Sequence, residues 1–412
     1  DNRNRFIPVR KTDLLKSCLN EDWLSPQQAS AFMDFARLLG AIFHYEYHQR
    51  LERLLDCYAP FNPDSDTHII RNVGGEEKLQ FQKTLVRELS AVLNAANFER
   101  ITTQDLNEAL TEESLFKIRL EVDFDDLEEV IFFRRGESLK QETLVTLYGL
   151  RKKRFSFTNY DRVAVYLKFK EKQYFDVHDR KKLNFVPGST IIKLFQNVPK
   201  ADLEMLFPNS KVRMKTIDKV IIGVPAAVSG IIVIVTKLSA TLILIGSVLA
   251  FWLGLSKEEA QLNQKHLIAL GAGLATLGGF LFRQISKFKN RKIKFMKALS
   301  DNLYFKNLDN NTGVFYNLID AAEEEEFKEA VLAYFFLLTE NRPMQKAELD
   351  GLIEKWLETG WNCKINFEIE DALNKLERLE LVTREGDIVQ CLPLAEAKGR
   401  LDHIWDNYFT FN

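Results

Sequence analysis

The sequence predicts an α+β membrane protein with an N-terminal α+β domain, a two-helix transmembrane hairpin and a C-terminal winged-helix-like domain. Two long apolar runs lie close together in the middle of the chain. Before them the spacing of apolar residues changes from a helical to a strand-like period, and after them three helical segments precede a hairpin pattern. These patterns divide the chain into a mainly helical region (1–120), an α+β region with a small antiparallel sheet (121–224), the transmembrane hairpin (225–284), a basic juxtamembrane connector (285–320) and the winged-helix-like domain (321–412).

Composition limits the classes of partner. Lys and Arg total 56 against 58 Asp and Glu, a net charge of −2. Proteins that bind nucleic acid rely on surplus positive charge, so no nucleic-acid partner is expected. The cysteines are few and lack the close pairing of a zinc site, which predicts reduced thiols in a cytoplasm-like compartment. These cysteines are Cys18, Cys57, Cys363 and Cys391.

The N-terminal half begins with helices and continues with strands. A capping box formed by Ser25 and Gln28, with Pro26 at the first helical position, predicts the start of a long helix. A second helix is expected over about 76–94. The segments "EEVIFFRRGE" and "DRVAVYLKFK" then alternate apolar and polar residues, as half-buried strands do. The segment from Ser189 to Pro208 returns to helical spacing and predicts a further helix.

The two apolar runs extend from Val220 to Leu255 and from Leu267 to Phe282. A spanning helix needs about 20 apolar residues, and Pro225 favours a helix start there, so spans are expected at about 226–255 and 267–283. Basic residues lie outside both runs, whereas the connecting loop is nearly neutral. Positive charge marks the cytoplasmic side, so both folded parts are expected on the cytoplasmic, stromal or matrix face of a membrane.

Charged residues in and after these runs are candidates for membrane contacts. Lys237 is the single charge inside the first run, and either reaches the interface with its long side chain or contacts a pathway or partner. The connector is dense in cations interleaved with Phe and Ile, a pattern typical of contact with anionic lipid headgroups. The headgroup candidates are Arg283, Lys287, Lys289, Arg291, Lys292, Lys294 and Lys297.

The C-terminal part has the pattern of a winged helix: three helices, a hairpin turning at Glu385–Gly386–Asp387, and a closing helix. The third helix of such domains often enters the DNA major groove. Here acidic residues outnumber the two cations, Lys375 and Arg378, so the helix would repel the phosphates of DNA. A protein-contact or purely structural use is therefore favoured. The acidic residues of this helix segment are Glu368, Glu370, Asp371, Glu377 and Glu380.

Three further groups of residues are candidate sites. Arg134 and Arg135, at an expected strand end turning at Gly136, either contact an anion or form ordinary salt bridges. His44 and His48 share a helix face and could bind zinc, although a plain helix surface is the favoured interpretation. The run 323–326, "EEEE", is expected near a helix start, where the macrodipole favours acids, or facing the basic connector. The sequence predicts no catalytic residue, cofactor site or metal site.

Several segments resemble one known family. They are "FFRRGE", "VPKADLEMLFP", the hydrophobic pair, and above all "LYFKNLDNNTGVF" with the helix that follows. They resemble the domain-of-unknown-function 3754 family, which includes the mitochondrial transmembrane protein 143 and cyanobacterial and plastid relatives. The resemblance covers about Glu121 to Pro393 and implies an integral membrane protein of bacterial or organellar origin. It implies no activity.

The functional hypothesis is a membrane-anchored scaffold or regulatory interaction protein, with protein partners bound through the winged-helix-like domain. A homo-oligomer is compatible with this hypothesis. The alternative is a transporter or channel component formed by oligomerised hairpins, which would need more intramembrane polar groups than Lys237. An enzyme would need His44 and His48 to converge with carboxylates in one cleft.

Overall fold

The structure is a computed structural model. It describes residues 4–67, 69–70, 73–102, 104–106, 108, 119–146, 151–178, 183–213, 239–255 and 264–409.

Three helices lead the chain: α1 (Lys11–Asn20), α2 (Pro26–Tyr58) and α3 (Gly75–Ala95). The predicted capping box of α2 is confirmed. Ser25 Oγ accepts a hydrogen bond from the Gln28 backbone N–H at 3.3 Å, and the Gln28 side chain accepts one from the Ser25 N–H at 3.0 Å. These two bonds satisfy backbone donors that a helix start leaves unpaired, and so fix where α2 begins.

A five-stranded antiparallel sheet follows, in the order β1-β3-β4-β5-β7. One of its faces packs on the helices through residues such as Phe133, Tyr166 and Leu194. The strands are β1 (Glu99–Arg100), β3 (Leu127–Thr146), β4 (Arg151–Phe169), β5 (Thr190–Pro199) and β7 (Asn307–Asn310). A separate pair joins β2 (Arg119–Glu121) to β6 (Lys211–Arg213), and the short helix α4 (Lys172–Val177) lies between β4 and β5.

Two expectations about this sheet are wrong. Gly136 does not end a strand. It lies within β3 at φ +71°, between Arg135 and Glu137, which pair in register with Arg162 and Tyr160 of β4, and a Cβ would sit 2.3 Å from the Asp161 carboxylate. The segment predicted as a helix from Ser189 instead forms β5, followed by a 3-10 segment at Lys200–Leu206. Pairing with β4 on one side and β7 on the other outweighs the helical spacing.

The C-terminal part runs helix, strand, helix, helix, hairpin and helix. Its three strands pair in the order β8-β10-β9, so the strand between the first two helices closes onto the hairpin as in a winged helix. The elements are α7 (Thr312–Glu340), β8 (Met344–Gln345), α8 (Lys346–Trp361), α9 (Ile369–Arg378), β9 (Val382–Glu385), β10 (Ile388–Cys391) and α10 (Leu394–Asp406).

The chain forms two compact units. Unit 1 contains 1–112, 123–206 and 306–412, and unit 2 contains 113–122 and 207–305. Helices α2, α3, α7, α8, α9 and α10 share one hydrophobic core in unit 1. The N-terminal helices and the winged-helix-like part are thus pieces of a single unit, separated in sequence by unit 2. Unit 2 contains β2, β6 and the helices α5 (Ser239–Trp252) and α6 (Gln264–Lys306).

The predicted transmembrane hairpin is not found among the residues that the structure describes. Among the helices of the described residues, none is both long enough and apolar enough to cross a bilayer. The apolar part of α6, residues 267–282, rises only about 24 Å at 1.5 Å per residue, short of the roughly 30 Å of hydrocarbon in a bilayer. Helix α5 is described from Ser239 onward. Residues 220–238 of the first apolar run lie outside the described residues.

The prediction of an α+β membrane protein with two spans is therefore corrected to a mixed α+β fold. The predicted localisation, an integral membrane protein with both folded parts on the cytoplasmic, stromal or matrix side, loses its basis with the hairpin. The transporter or channel hypothesis required the same hairpin and loses its basis too.

Candidate functional site

The acidic run at 323–326 lies within the body of α7, not near a helix start as the sequence predicted. The helix macrodipole therefore does not explain it, because that effect fades within the first turn. Part of the run turns inward: Glu325, together with Lys328 and Glu329 of the same helix, is 1% exposed. Buried charges persist only when paired, so their partners decide what this part of α7 does.

One pair on α7 holds the N-terminal segment. Lys328 forms an ion pair with Glu325 and donates hydrogen bonds from Nζ to the carbonyl oxygens of Ile7, at 2.7 Å, and Val9, at 3.2 Å. The Ile7 backbone N–H in turn donates to Glu325 Oε2 at 3.1 Å. These bonds fasten the chain just before α1 to the middle of α7.

A second group joins α7 to α9. Lys375 of α9 is 6% exposed, and its Nζ lies 2.6 Å from Glu329 Oε2, 3.2 Å from Glu326 Oε1 and 3.0 Å from Asp371 Oδ2. Asn97, just after α3, donates from Nδ2 to Glu329 Oε1 at 2.8 Å. One cation is thus shared among three carboxylates. These residues together form the α7 clamp: Asn97, Glu325, Glu326, Lys328, Glu329 and Lys375.

The charge balance of the α7 clamp shifts its proton equilibria. Burial raises the pKa of Glu329 to about 7, and the nearby Lys375 and Asn97 only partly offset this. Burial alone would lower the pKa of Lys375, but the surrounding carboxylates of Glu329, Glu326 and Asp371 outweigh it and raise that pKa. Burial also raises the pKa of Glu325 and of Glu326. The lysine therefore stays charged, and the buried carboxyl groups of the α7 clamp bind a proton more readily than an exposed Glu does.

The α7 clamp connects segments from both ends of the sequence: residues 7–9, the end of α3, α7 and α9. Its charged groups pair with one another and hydrogen-bond to the backbone, and Glu325 Oε1 contacts Lys328 as an ion pair without a hydrogen bond. The arrangement therefore serves to hold elements of unit 1 together.

The two arginines predicted as an anion contact lie in different surroundings. Arg134 pairs with Glu99 at 3.1 Å and with Glu137, and its guanidinium lies over the Tyr160 ring. Arg135 is packed between Phe6 and Phe98, with its Cζ 4.1 and 4.9 Å from the ring centroids.

Burial lowers the pKa of Arg135 to about 10. Arg134 makes salt bridges within the chain, whereas Arg135 contacts two aromatic rings and donates a hydrogen bond to the Ala96 carbonyl oxygen. Binding of an external anion by Arg134 and Arg135 stays a prediction.

The two histidines of α2 contact different partners. His44 Nδ1 lies 2.9 Å from Glu323 Oε2, and His48 Nε2 lies 3.9 Å from Glu52 Oε1. In the part of the chain that the structure describes, no group of three or more His, Cys, Asp or Glu is arranged to hold a metal ion. The described cysteines are free thiols.

The outward surface of α9 and the β9–β10 wing is the second candidate site, called the α9–wing surface below. Its cations are engaged within the chain. Arg378 binds Glu46 of α2 through two bonds of 2.6 and 2.8 Å, and Arg384 contacts Glu370 at 2.7 Å. Ile388 is 48% exposed at the wing. The acids here are Glu370, Glu377, Glu380, Glu385 and Asp387, against the cations Lys346, Arg378, Arg384 and Arg400.

The predicted lipid-headgroup cations all lie on α6. Arg283, Lys287, Lys289, Lys294 and Lys297 have exposed side chains. The other two, Arg291 and Lys292, are placed by backbone alone. Contact with headgroups stays a prediction. Lys237, the predicted intramembrane charge, lies outside the described residues.

Sequence reasoning missed a polar junction at the start of α7. Tyr58 Oη lies 2.8 Å from the Thr190 carbonyl oxygen and 2.9 Å from Asn311 Oδ1. Asn311 also accepts from the Ile192 N–H at 3.2 Å and donates to Asp64 at 2.6 Å, with a left-handed φ of 51°. The consecutive asparagines of "LDNNTG" were the available signal, because Asn tolerates this conformation better than most residues.

Thr190, Ile192 and Asn311 of this junction lie where the chain matches a known family, whereas Tyr58 and Asp64 lie outside the matched residues. Residues 160–313 match the family described as Protein of unknown function (DUF3754). The DUF3754 resemblance is confirmed. The DUF3754 match extends from β4 through α6 to the junction at Asn311. Its description assigns no activity, and the resemblance to transmembrane protein 143 stays a prediction. No solved structure matches the chain.

Proposed function

We propose that the chain is a protein-interaction scaffold that binds a partner protein through the α9–wing surface. The observation that carries this proposal is the pairing of the α9 cations within the chain. Lys375 is buried against α7, and the half-exposed Arg378 is paired with Glu46 of α2, so carboxylates of unit 1 already neutralise both cations. The helix that would enter the DNA groove in a nucleic-acid-binding winged helix therefore offers its acids to a partner.

The residues left outward support a protein partner. Along α9, Glu370, Asn374 and Glu377 are exposed and lie one turn apart. Five acids against four cations leave this surface without the surplus positive charge that binding to nucleic-acid phosphates requires. The half-exposed Ile388 at the wing supplies an apolar contact in the midst of these charges, a combination typical of protein interfaces.

The test compares the wild-type chain with Glu377→Lys as bait in an extract of its natural host, with quantitative mass spectrometry of the captured proteins. Glu76→Lys is the matched control, because it makes the same charge change at an exposed position on α3. A protein captured by wild type and by the control, but lost with Glu377→Lys, supports the proposal.

A nucleic-acid arm uses fluorescence anisotropy of a labelled duplex DNA with the full chain. Little binding is expected at physiological salt. DNA binding that Glu377→Lys leaves unchanged or strengthens, with no protein dependent on Glu377 in the capture arm, would overturn the proposal.

A further inference from the structure

Charge is segregated between the two units. Unit 2 contains 16 Lys and Arg against 6 Asp and Glu, a net +10, whereas unit 1 contains the remaining 40 and 52, a net −12. The chain total of −2 hides this asymmetry. Large opposite fields in different parts of one molecule favour association between unlike parts of two molecules.

The basic part of unit 2 also presents an apolar stripe. Phe282, Ile285, Ile293 and Met296 of α6 are 74%, 55%, 61% and 52% exposed. Their positions are separated by nearly whole helical turns, so they share one face of the helix. Exposed apolar surface of this extent is characteristic of an interaction site.

Cations border the apolar stripe. Arg283, Lys287 and Lys294 are exposed and are likewise separated by nearly whole turns, which places them together on the neighbouring face of α6. The only acid between 283 and 306 is Asp301. Two copies of this face would repel each other, so pairing of α6 with α6 is disfavoured. The face fits an acidic protein surface with apolar contacts.

We propose that residues 282–297 of α6 form a docking helix that binds the acidic unit 1 of a second copy of this chain. Unit 1 supplies the complementary charge, and every copy carries both partners in equal number. Contact between two different surfaces is heterologous, so the assembly is a closed ring or an open chain of copies. Where the α9–wing surface is the receiving surface, this inference rests on the proposed function.

The test measures the mass of the purified full chain by light scattering. Dimers or larger species are expected at about 0.05 M salt and smaller species at about 0.5 M, where exposed charges are screened. Lys287→Glu/Lys294→Glu should lower the association constant about tenfold or more. The control Lys16→Glu/Lys355→Glu makes the same charge change on exposed residues of unit 1 and should not weaken association.

Charge reversal then locates the receiving surface. Glu377→Lys alone should weaken association, and mixing it with Lys287→Glu/Lys294→Glu should restore it, if the receiving surface is the α9–wing surface. Association that depends on Lys287 and Lys294 but not on Glu377 would support the docking helix and show that its receiving surface lies elsewhere on unit 1. That result would not bear on the proposed function, which the capture experiment tests separately.

Two outcomes overturn the inference. A monomer at both salt concentrations excludes the second copy as the occupant. Sedimentation of such a monomer with anionic phospholipid vesicles, lost in Lys287→Glu/Lys294→Glu, would assign the face to lipid instead. Association that persists at about 0.5 M salt and ignores the charge changes would be apolar aggregation, because screening weakens only the electrostatic contact.

Discussion

The ammonium of Lys375 lies 2.6 Å from the Glu329 carboxylate, and Glu329 is 1% exposed. This bond joins α9 of the winged-helix-like part to α7, and Asn97 ties the same carboxylate to the end of α3. A single buried pair therefore connects three segments that are far apart in the sequence.

Replacing Lys375 with Met should lower the free energy of unfolding of unit 1 by about 3–5 kcal/mol, because it leaves buried carboxylates without their counter-ion. The matched control is Arg378→Met, three residues later on the same helix. Its pair with Glu46 is half-exposed, and such pairs contribute about 1 kcal/mol or less. Urea unfolding followed by circular dichroism measures both.

The second replacement Glu329→Gln in the Lys375→Met background should recover part of the loss, because one unpaired buried charge is removed. Equal losses in Lys375→Met and Arg378→Met would contradict the importance assigned to the α7 clamp.

The stability of the folded chain should depend on pH through Glu329. Its pKa is raised from 4.5 to about 7 in the folded state, so the folded state binds more protons than the unfolded state between these values. The contribution of this group to the unfolding free energy is therefore fully present below about pH 4.5 and is lost as pH rises through about 7. The slope approaches 1.4 kcal/mol per pH unit at most, roughly the value of one pKa unit.

This dependence is measured as the difference in unfolding free energy between wild type and Glu329→Gln across about pH 5 to 8. Groups common to both proteins cancel in that difference. Glu358→Gln, on the exposed surface of α8, is the control and should give a flat difference. A flat line for Glu329→Gln as well would show that this carboxylate keeps an ordinary pKa.

Asn311→Ala should destabilise unit 1 by about 2–4 kcal/mol, because it removes the acceptor of the Ile192 N–H and places Ala in a left-handed conformation. Asn311→Gly should destabilise unit 1 less than Asn311→Ala does, since Gly adopts that conformation freely. The control is Asn310→Ala at the exposed neighbouring position, expected to change stability by less than about 0.5 kcal/mol. Thermal unfolding of the three variants tests the order. Equal effects at 310 and 311 would mean that the junction is not important for stability.

Local signals in the sequence predicted the elements that depend on neighbouring residues. Ser25, Pro26 and Gln28 fix the start of α2 through bonds within four residues, and the alternation in "DRVAVYLKFK" places β4. The segment from Ser189 was mispredicted because its strand state depends on β4 and β7, which lie on either side of it in space.

The candidate sites depend on residues that are distant in the sequence, so they were harder to predict from it. The α7 clamp combines positions 7, 97, 325–329 and 375, and no local pattern connects them. The acidity of α9 was readable from the sequence, whereas the pairing of Lys375 with α7 and of Arg378 with α2 was not, because it depends on residues distant in the chain. Hydropathy of 220–255 and 267–282 suggested spans, but no helix among the described residues is both long enough and apolar enough to cross a bilayer.

The division of unit 1 into pieces on either side of unit 2 has a consequence for biosynthesis. A ribosome finishes residues 1–112 long before it reaches 306–412, yet the apolar faces of α2 and α3 are covered by α7 and α10. The apolar surfaces of the nascent N-terminal helices therefore stay exposed to solvent while some two hundred further residues are translated. Holding by chaperones during that interval is the expected requirement for a good yield of folded protein.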